Sequence, residues 1–332
     1  MVAMGIIHSI SRKFRPAVYQ GSNNPSSYFE GWYFKFVDGP GQQVWSVIPG
    51  ISYSEDTHCF VQVINAKSGE SFYLRYPREA FHYSRKEMII EVGPSRFTEE
   101  GVTLELESKE LTISGSLQFK GTHPYPVTIL SPGIMGWYGY VPFMECYHGV
   151  VSMQHGISGN LRINGSAIQF DGGKGYIEKD WGASMPSDWI WIQSNHFKRD
   201  PGASFMISLA RIPWLRGYFP GFLCFLVAEG RLYRFATYNH SKVEHLTTSA
   251  GEVRIIVRKR TLKLHIRAFL KEGVVLKAPR HGVMERDIRE SMVSGIQVEL
   301  SRKNGEVIFS DRGELAGVEI VGEVERYFRN ND

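Results

Sequence analysis

The sequence predicts an all-β fold of two lipocalin-like antiparallel β-barrels packed together, with few short helices. Short runs of alternating apolar and polar residues follow one another, broken at near-regular intervals by glycine turns. Helical periodicity is weak throughout. The 332 residues also split into halves of about 150, an ordinary domain size. We expect a lead-in over 1–24, a first barrel over 25–170 and a second over 171–330. Closed barrels remove exposed sheet edges, and small ones hold one apolar ligand.

Taken in order, Met1–Gln20 begins with a short apolar run, Val2 to Ile7, too short and poorly flanked for a signal peptide. Gly21–Pro25 closes the lead-in as a loop. Tyr28–Phe36 is a strand with Tyr28, Glu30, Trp32 and Phe34 on one face. Asp38–Gly41 turns the chain and Val44–Ile48 runs back. Lys67–Glu70, Glu100-Gly101, Asn164-Gly165, Glu229-Gly230 and Asn304-Gly305 are hairpin turns. The Asn-Gly pairs suit type I′ geometry, which needs positive φ at both central residues. Leu262–Ala268 alternates apolar with basic. Glu285–Ser294 is the best short-helix candidate, with an extended segment as the alternative. Gly121–Met153 interrupts the rhythm as a long aromatic loop containing Trp137 and Tyr140, and such loops tend to be functional. No internal repeat is visible.

Hydrophobic residues make up 42%, aromatics 13% and charged residues 22%, which describes a globular chain. A net charge of +4 is too mild to call for nucleic acid. Three cysteines, Cys59, Cys146 and Cys224, form no disulfide framework, so a reducing compartment is the default. Without about 18 consecutive apolar residues, no membrane span is expected. The expected location is cytoplasmic, with peripheral membrane contact open. The basic run Arg254, Arg258, Lys259, Arg260, Lys263 and Arg267 reads first as a solvated barrel face, and second as attraction to an anionic membrane.

The candidate site centres on Gly175–Gly182 and Trp189–Asn195. Strand alternation puts Tyr176, Glu178 and Asp180 on one side. It groups Trp189, Trp191, Gln193 and Asn195, leaving Ile190 and Ile192 on an apolar face. The short connection Ala183–Asp188 is expected to bring both runs to one place. A carboxyl among indoles loses hydration and holds its proton, and indole faces shelter a cation. The plainer alternative is a solvated strand edge. Glu30, between aromatics, must find a partner; an anchor for a loop amide or an arginine is the first reading, an acid the second. Glu145, Tyr147 and His148 could orient or deprotonate a hydroxyl. Cys146 and His148 with Cys59, His58 or His155 lack zinc-site spacings, so no metal is expected. Phosphate-binding, dinucleotide and nucleophile-elbow motifs are missing.

Several segments together resemble the tocopherol cyclase family. They are Tyr28–Lys35, Ser131–Gly136 with Met144–Gly149, Gly175–Gly182, Trp189–Asn195, and Leu276–Pro279 through Gly282, Met284, Glu290 and Ser291. They occur in the family's order over nearly the whole chain. The wider clan is similar to carotenoid hydratase-like and lipocalin-like two-barrel proteins, although Gly31 and Trp32 are adjacent rather than spaced as Gly-x-Trp. The resemblance implies a cofactor-free isomerase acting on a prenylated quinol or other isoprenoid. An acid protonates the alkene and a ring hydroxyl captures the cation. Asp180 is the expected donor, with Glu145 or His148 taking the phenolic proton and Glu30 as a further acid. Trp189 and Trp191 face the cation, Gln193 and Asn195 hold the hydroxyls, and Trp32, Tyr33, Trp137, Tyr140 and Trp181 complete the substrate-binding set. Plant members carry a transit peptide and none is visible here, so a bacterial enzyme with a substrate other than tocopherol is expected. A polyene pericyclase and a lipid or terpenoid carrier are the alternatives.

Overall fold

The computed structural model describes residues 12–22 and 26–328. The apolar start Val2–Ile7 and residues 23–25 of the expected loop lie outside them. The chain forms two compact units, Met1–Met185 with Leu276–Asp287, and Pro186–Val275 with Ile288–Asp332.

The first unit contains strands β1 (Tyr28–Val37), β2 (Val44–Tyr53), β3 (His58–Asn65), β4 (Glu70–Pro77), β5 (Phe81–Tyr83) and β6 (Ile89–Val92). They continue as β7 (Ser95–Thr98), β8 (Gly101–Glu107), β9 (Thr112–Lys120), β10 (Cys146–Ile163), β11 (Ser166–Gln169) and β12 (Gly173–Gly182). The sheet order is β4-β3-β2-β1-β12-β10-β9-β8-β7-β6-β5, with β11 on β10. The first strand therefore pairs with the last, and the two path ends, β4 and β5, are joined by the single turn Arg78–Ala80. One face of this curled sheet lines one apolar core. Trp32, Phe34, Phe36, Val47, Val63, Phe97, Leu104, Leu117 and Ile177 all belong to it.

The second unit follows the same plan. Its strands are β13 (Trp189–Ser194), β14 (His196–Phe197), β15 (Ser204–Trp214), β16 (Gly217–Ala228), β17 (Arg231–Ala236) and β18 (Lys242–Thr248). Then come β19 (Glu252–Lys259), β20 (Leu262–Phe269), β21 (Val274–Arg280), β22 (Val283–Arg302) and β23 (Val307–Val321), of which Leu276–Asp287, in β21 and the start of β22, belongs to the first unit. The order β17-β16-β15-β13-β23-β22-β20-β19-β18 again joins first strand to last. The path ends β17 and β18 are again linked by one turn, Thr237–Asn239. Ile190, Ile192, Phe205, Ile255, Ile266, Val298 and Val318 share its core. The units thus repeat a topology that no sequence repeat announces.

The expected all-β architecture is present, and helix among the described residues is limited to residues 12–13, isolated turns and Glu325–Phe328. Asn164 and Gly165 take φ of 47° and 82°, which closes the β10–β11 hairpin as a type I′ turn. Two expectations change. Residues 285–294 are extended inside β22, because this stretch pairs with β23, Glu290 opposite Glu319. The division falls at Met185/Pro186 rather than 170/171, because β12 pairs with β1 and β10 of the first unit. The basic run of the second unit is a solvated face: Arg254 and Arg267 share Glu252, while Arg258 and Lys263 share Glu244. Among the described residues no helix is long and apolar enough to cross a membrane.

Phe34 is fully buried with its ring 5.5 Å from that of Phe97 and 6.2 Å from those of Phe36 and Phe119. Phe34→Ala should lower unfolding free energy by about 3–5 kcal/mol, read as a drop in urea midpoint.

Candidate active site

Alternation along β12 separates two polar sets. Ile177, Lys179 and Trp181 point one way, with Ile177 in the core, and Tyr176, Glu178 and Asp180 point the other. Register fixes their neighbours. On β1, Gly31 lies opposite Asp180 and Tyr33 opposite Glu178; on β10, His148 lies opposite Asp180 and Val150 opposite Glu178.

On the face away from the core, His148 Nδ1 is 2.9 Å from Asp180 Oδ1, and its Nε2 is 3.5 Å from Glu178 Oε2. Tyr176 donates its hydroxyl to Glu178 Oε2 at 2.6 Å. The imidazole therefore stands between two carboxylates, one of them held by a phenol. Burial first, then the Glu178 charge, pushes the Tyr176 hydroxyl well above its ordinary range, so it stays a donor. Cys146 Sγ is 3.9 Å from Asp180 Oδ1; burial, then Asp180, raises the thiol well up, which disqualifies it as a thiolate nucleophile. Side-chain exposure rises from 6% at Glu178 through 12% at His148 to 25% at Asp180, so Asp180 is the open end of the cluster.

The aromatic loop packs onto this cluster. Met135 Sδ accepts the His148 amide N–H at 3.2 Å, and Tyr147 donates to the Val141 carbonyl at 2.5 Å. Tyr147 also stacks on Trp181 at 5.5 Å. Glu145 lies just before β10, and its carbonyl accepts the amides of Ala183 and Ser184. Trp137 and Tyr140 occupy an exposed turn at the surface.

On the core-side face stands a different constellation. Lys179 and Glu30 are both fully buried and pair at 2.5 Å. The ammonium also donates to the carbonyls of Pro16 and Val18, and lies 4.7 Å from the ring centroids of both Trp32 and Trp181. Glu30 accepts the amides of Gln20 and Gly21 and the hydroxyl of Tyr28, while Trp32 Nε1 donates to Ala17 O at 2.7 Å. Glu30 is thus a loop-amide anchor, with a lysine where an arginine was considered. Trp32 and Trp181, expected at the substrate, cradle this cation instead. Lys179 was missed because a lysine between two carboxylates in sequence reads as exposed. The signal in the sequence was its parity with Trp181; its place opposite Trp32 comes only with the β1–β12 register.

In the second unit, β13 divides as expected. Ile190 and Ile192 enter the core, and Trp189, Trp191 and Gln193 occupy the other face, all buried; Asn195 follows the strand and is buried too. Trp189 Nε1 donates to Glu319 Oε2 at 2.6 Å, and Glu319 lies opposite both Trp191 and Glu290 in register. Gly317 is required here, since a Cβ would stand 2.5 Å from the Trp191 ring and 3.6 Å from Glu290 Oε1. Sequence reasoning missed Glu319 and quoted Glu290 only within a motif; both lie on β22–β23, whose register is invisible before folding. The carboxylates of β12 belong to the first unit and the indoles of β13 to the second.

His148, Glu178 and Asp180 could each offer a metal one ligand atom, all within 4.8 Å of one another. The other residues considered for metal serve elsewhere. Cys59 is buried in the core, His58 bonds Tyr73, and burial pulls His155 down to about 3.

The profile of the family described as "Tocopherol cyclase-like" matches residues 127–322. "Probable tocopherol cyclase, chloroplastic" of Oryza sativa subsp. japonica is 26% identical over 213 residues, 59% of this chain and 44% of the rice protein. "Tocopherol cyclase, chloroplastic" of Zea mays is 39% identical over 82 residues, 24% of this chain and 16% of the maize protein. The matched regions span less than half the length of these relatives. Two crystal structures share the fold. A candidate AttH from Nitrosomonas europaea has a TM-score of 0.52 at 13% identity, covering 90% of this chain and 94% of its own. CghA with Sch210972 has a TM-score of 0.54 at 11% identity, covering 90% and 89%.

Removing Glu30 leaves a buried cation unpaired. Glu30→Gln should cost about 3–5 kcal/mol, and adding Lys179→Met should restore much of it in a denaturant-based double-mutant cycle. Burial, opposed by Glu30, lowers Lys179 from 10.5 to about 8. Its contribution is therefore full above about 10.5 and lost as pH falls through about 8. Wild type should gain stability relative to Lys179→Met as pH rises from 8 to 10 in urea titrations.

Proposed function

Because the chain belongs to the tocopherol cyclase-like family, we propose that it is a cyclase or hydratase of an isoprenoid, with a prenylated quinol as the substrate class, acting by acid protonation of an alkene. The observation that carries this reading is the imidazole of His148 held between Asp180 and Glu178. A ring with a carboxylate at each nitrogen is built to hold a proton and pass it on.

In this reading Asp180, the most open of the three, gives its proton to the less substituted alkene carbon, leaving a tertiary cation. A ring hydroxyl attacks the cation, a C–O bond forms, and the hydroxyl proton returns to the cluster through His148. The sum is an isomerisation. If water captures the cation instead, the product is heavier by one water and the same proton is returned. Glu178, tied to Tyr176, fixes the imidazole. No redox or group-transfer cofactor is needed for this balance.

The test uses purified protein with a panel of prenylated quinols and linear isoprenoids in D2O, read by mass spectrometry. Acid-initiated closure should add one solvent deuteron to carbon, and Asp180→Asn should cut turnover by about 10²–10⁴-fold. Product without carbon-bound deuterium, unaffected by Asp180→Asn, would replace this reading with a pericyclic one. Unchanged ligand from every substrate would make the protein a carrier. Turnover should survive exhaustive EDTA treatment; loss restored by a divalent metal would turn the same three residues into ligands. Trp191→Leu is the arm that tests whether the second unit's indoles take part.

A further inference from the structure

We propose that residues 127–143 form a lipid-docking prong that seats in the headgroup and upper acyl layer of a phospholipid bilayer. The first observation is composition. From Gly121 to Met144, 24 residues run without one Asp, Glu, Lys or Arg. The second is geometry. Thr128 and Ser131 close a two-residue hairpin by reciprocal backbone bonds of 2.8 and 3.0 Å, and its two corner residues are Ile129 and Leu130. Those side chains are 80% and 85% exposed. Such corners ordinarily carry Asn, Asp or Gly.

The prong is braced rather than loose. Tyr140 donates its hydroxyl to the Ile129 carbonyl, Ser131 Oγ donates to Gly133 O, and Ile134, Met135 and Met144 are buried. Side-chain polarity is graded along it. Ile129 and Leu130 form the tip, Tyr140 reaches the tip from behind, and Trp137 is 46% exposed in the same turn. Lys13 stands behind Tyr140, its ammonium on the carbonyls of Gly139 and Tyr140. Aliphatic tip, aromatic collar and basic base follow the polarity profile of a bilayer surface. Lys13 complements an anionic leaflet, and an open cleft of about 830 Å³ beside Val127 adds Arg15 and Lys86 among walls that also hold Glu87, Glu99 and Glu100.

This inference does not rest on the proposed chemistry, and its test reads binding alone. The full chain is floated with vesicles of phosphatidylcholine containing phosphatidylglycerol, wild type beside Ile129→Ser/Leu130→Ser. Wild type should float. The double variant should lose about 100-fold in partitioning, about tenfold for each aliphatic side chain. Its thermal midpoint should stay unchanged, since both side chains are already in water. Lys13→Glu should weaken binding to anionic vesicles and leave pure phosphatidylcholine unaffected. Failure of wild type to float, or equal flotation of the double variant, overturns the proposal. So does self-association of wild type in vesicle-free buffer that the double variant abolishes, which would make a second copy of the chain the occupant.

Discussion

The pairing of β1 with β12 is the constraint on which the first unit depends. It closes the sheet by joining strands from opposite ends of that unit's sequence, and its register decides what each side chain meets. With Trp32 opposite Lys179, the cation falls between two indoles and reaches Glu30. The same alternation then sends Glu178 and Asp180 to the other face, toward His148. A slip of one residue would exchange these faces, burying the acid pair in the core and expelling the lysine. The buried pair is thus a device for holding register as much as a source of stability. It also ties the carbonyls of Pro16 and Val18 to β12 through Lys179 and the amides of Gln20 and Gly21 to β1 through Glu30.

Period-2 alternation explains what was legible in advance. The grouping of Tyr176 with Glu178 and Asp180, and of the β13 indoles against Ile190 and Ile192, needs only the knowledge that these are strands. The Asn164-Gly165 turn was legible for the same reason, since backbone sterics act locally. What the sequence withheld is register between distant strands. Glu319 meets Trp189 only because β13 pairs with β23, and Lys179 meets Glu30 only because β12 pairs with β1. Residues 285–294 offered a weak helical signal with an extended segment as the alternative, and pairing with β23 decides for the strand. The boundary moved for a related reason: β12 is adjacent in sequence to the second unit but hydrogen-bonded within the first.

The aromatic loop shows how surface and site are coupled within one segment. Its tip is solvent-exposed aliphatic, its middle is braced by buried Ile134 and Met135, and its end enters β10 two residues before His148. Met135 touches the His148 backbone directly. Trp137 and Tyr140, expected at the substrate, belong to the outer part of this segment. The aromatic content that marked the loop as functional therefore has two destinations: stacking against Trp181 through Tyr147, and the surface collar.

Both units close first strand on last, and in both the polar residues away from the core gather at that seam. In the first, β12 supplies Glu178 and Asp180, and the adjoining β10 supplies His148. In the second, β13 supplies the indoles, β23 supplies Glu319 and the adjoining β22 supplies Glu290. A seam forms last in any sheet whose other contacts are sequential hairpins, because it carries the largest loop-closure cost. The Trp189–Glu319 contact of the second unit crosses its seam and comes into existence only when that sheet closes, whereas the His148, Asp180 and Glu178 cluster spans β10 and β12, which are near neighbours in sequence. The pairs that do cross a seam, Lys179 with Glu30 and Trp189 with Glu319, are the ones that strand-by-strand reading could not assemble.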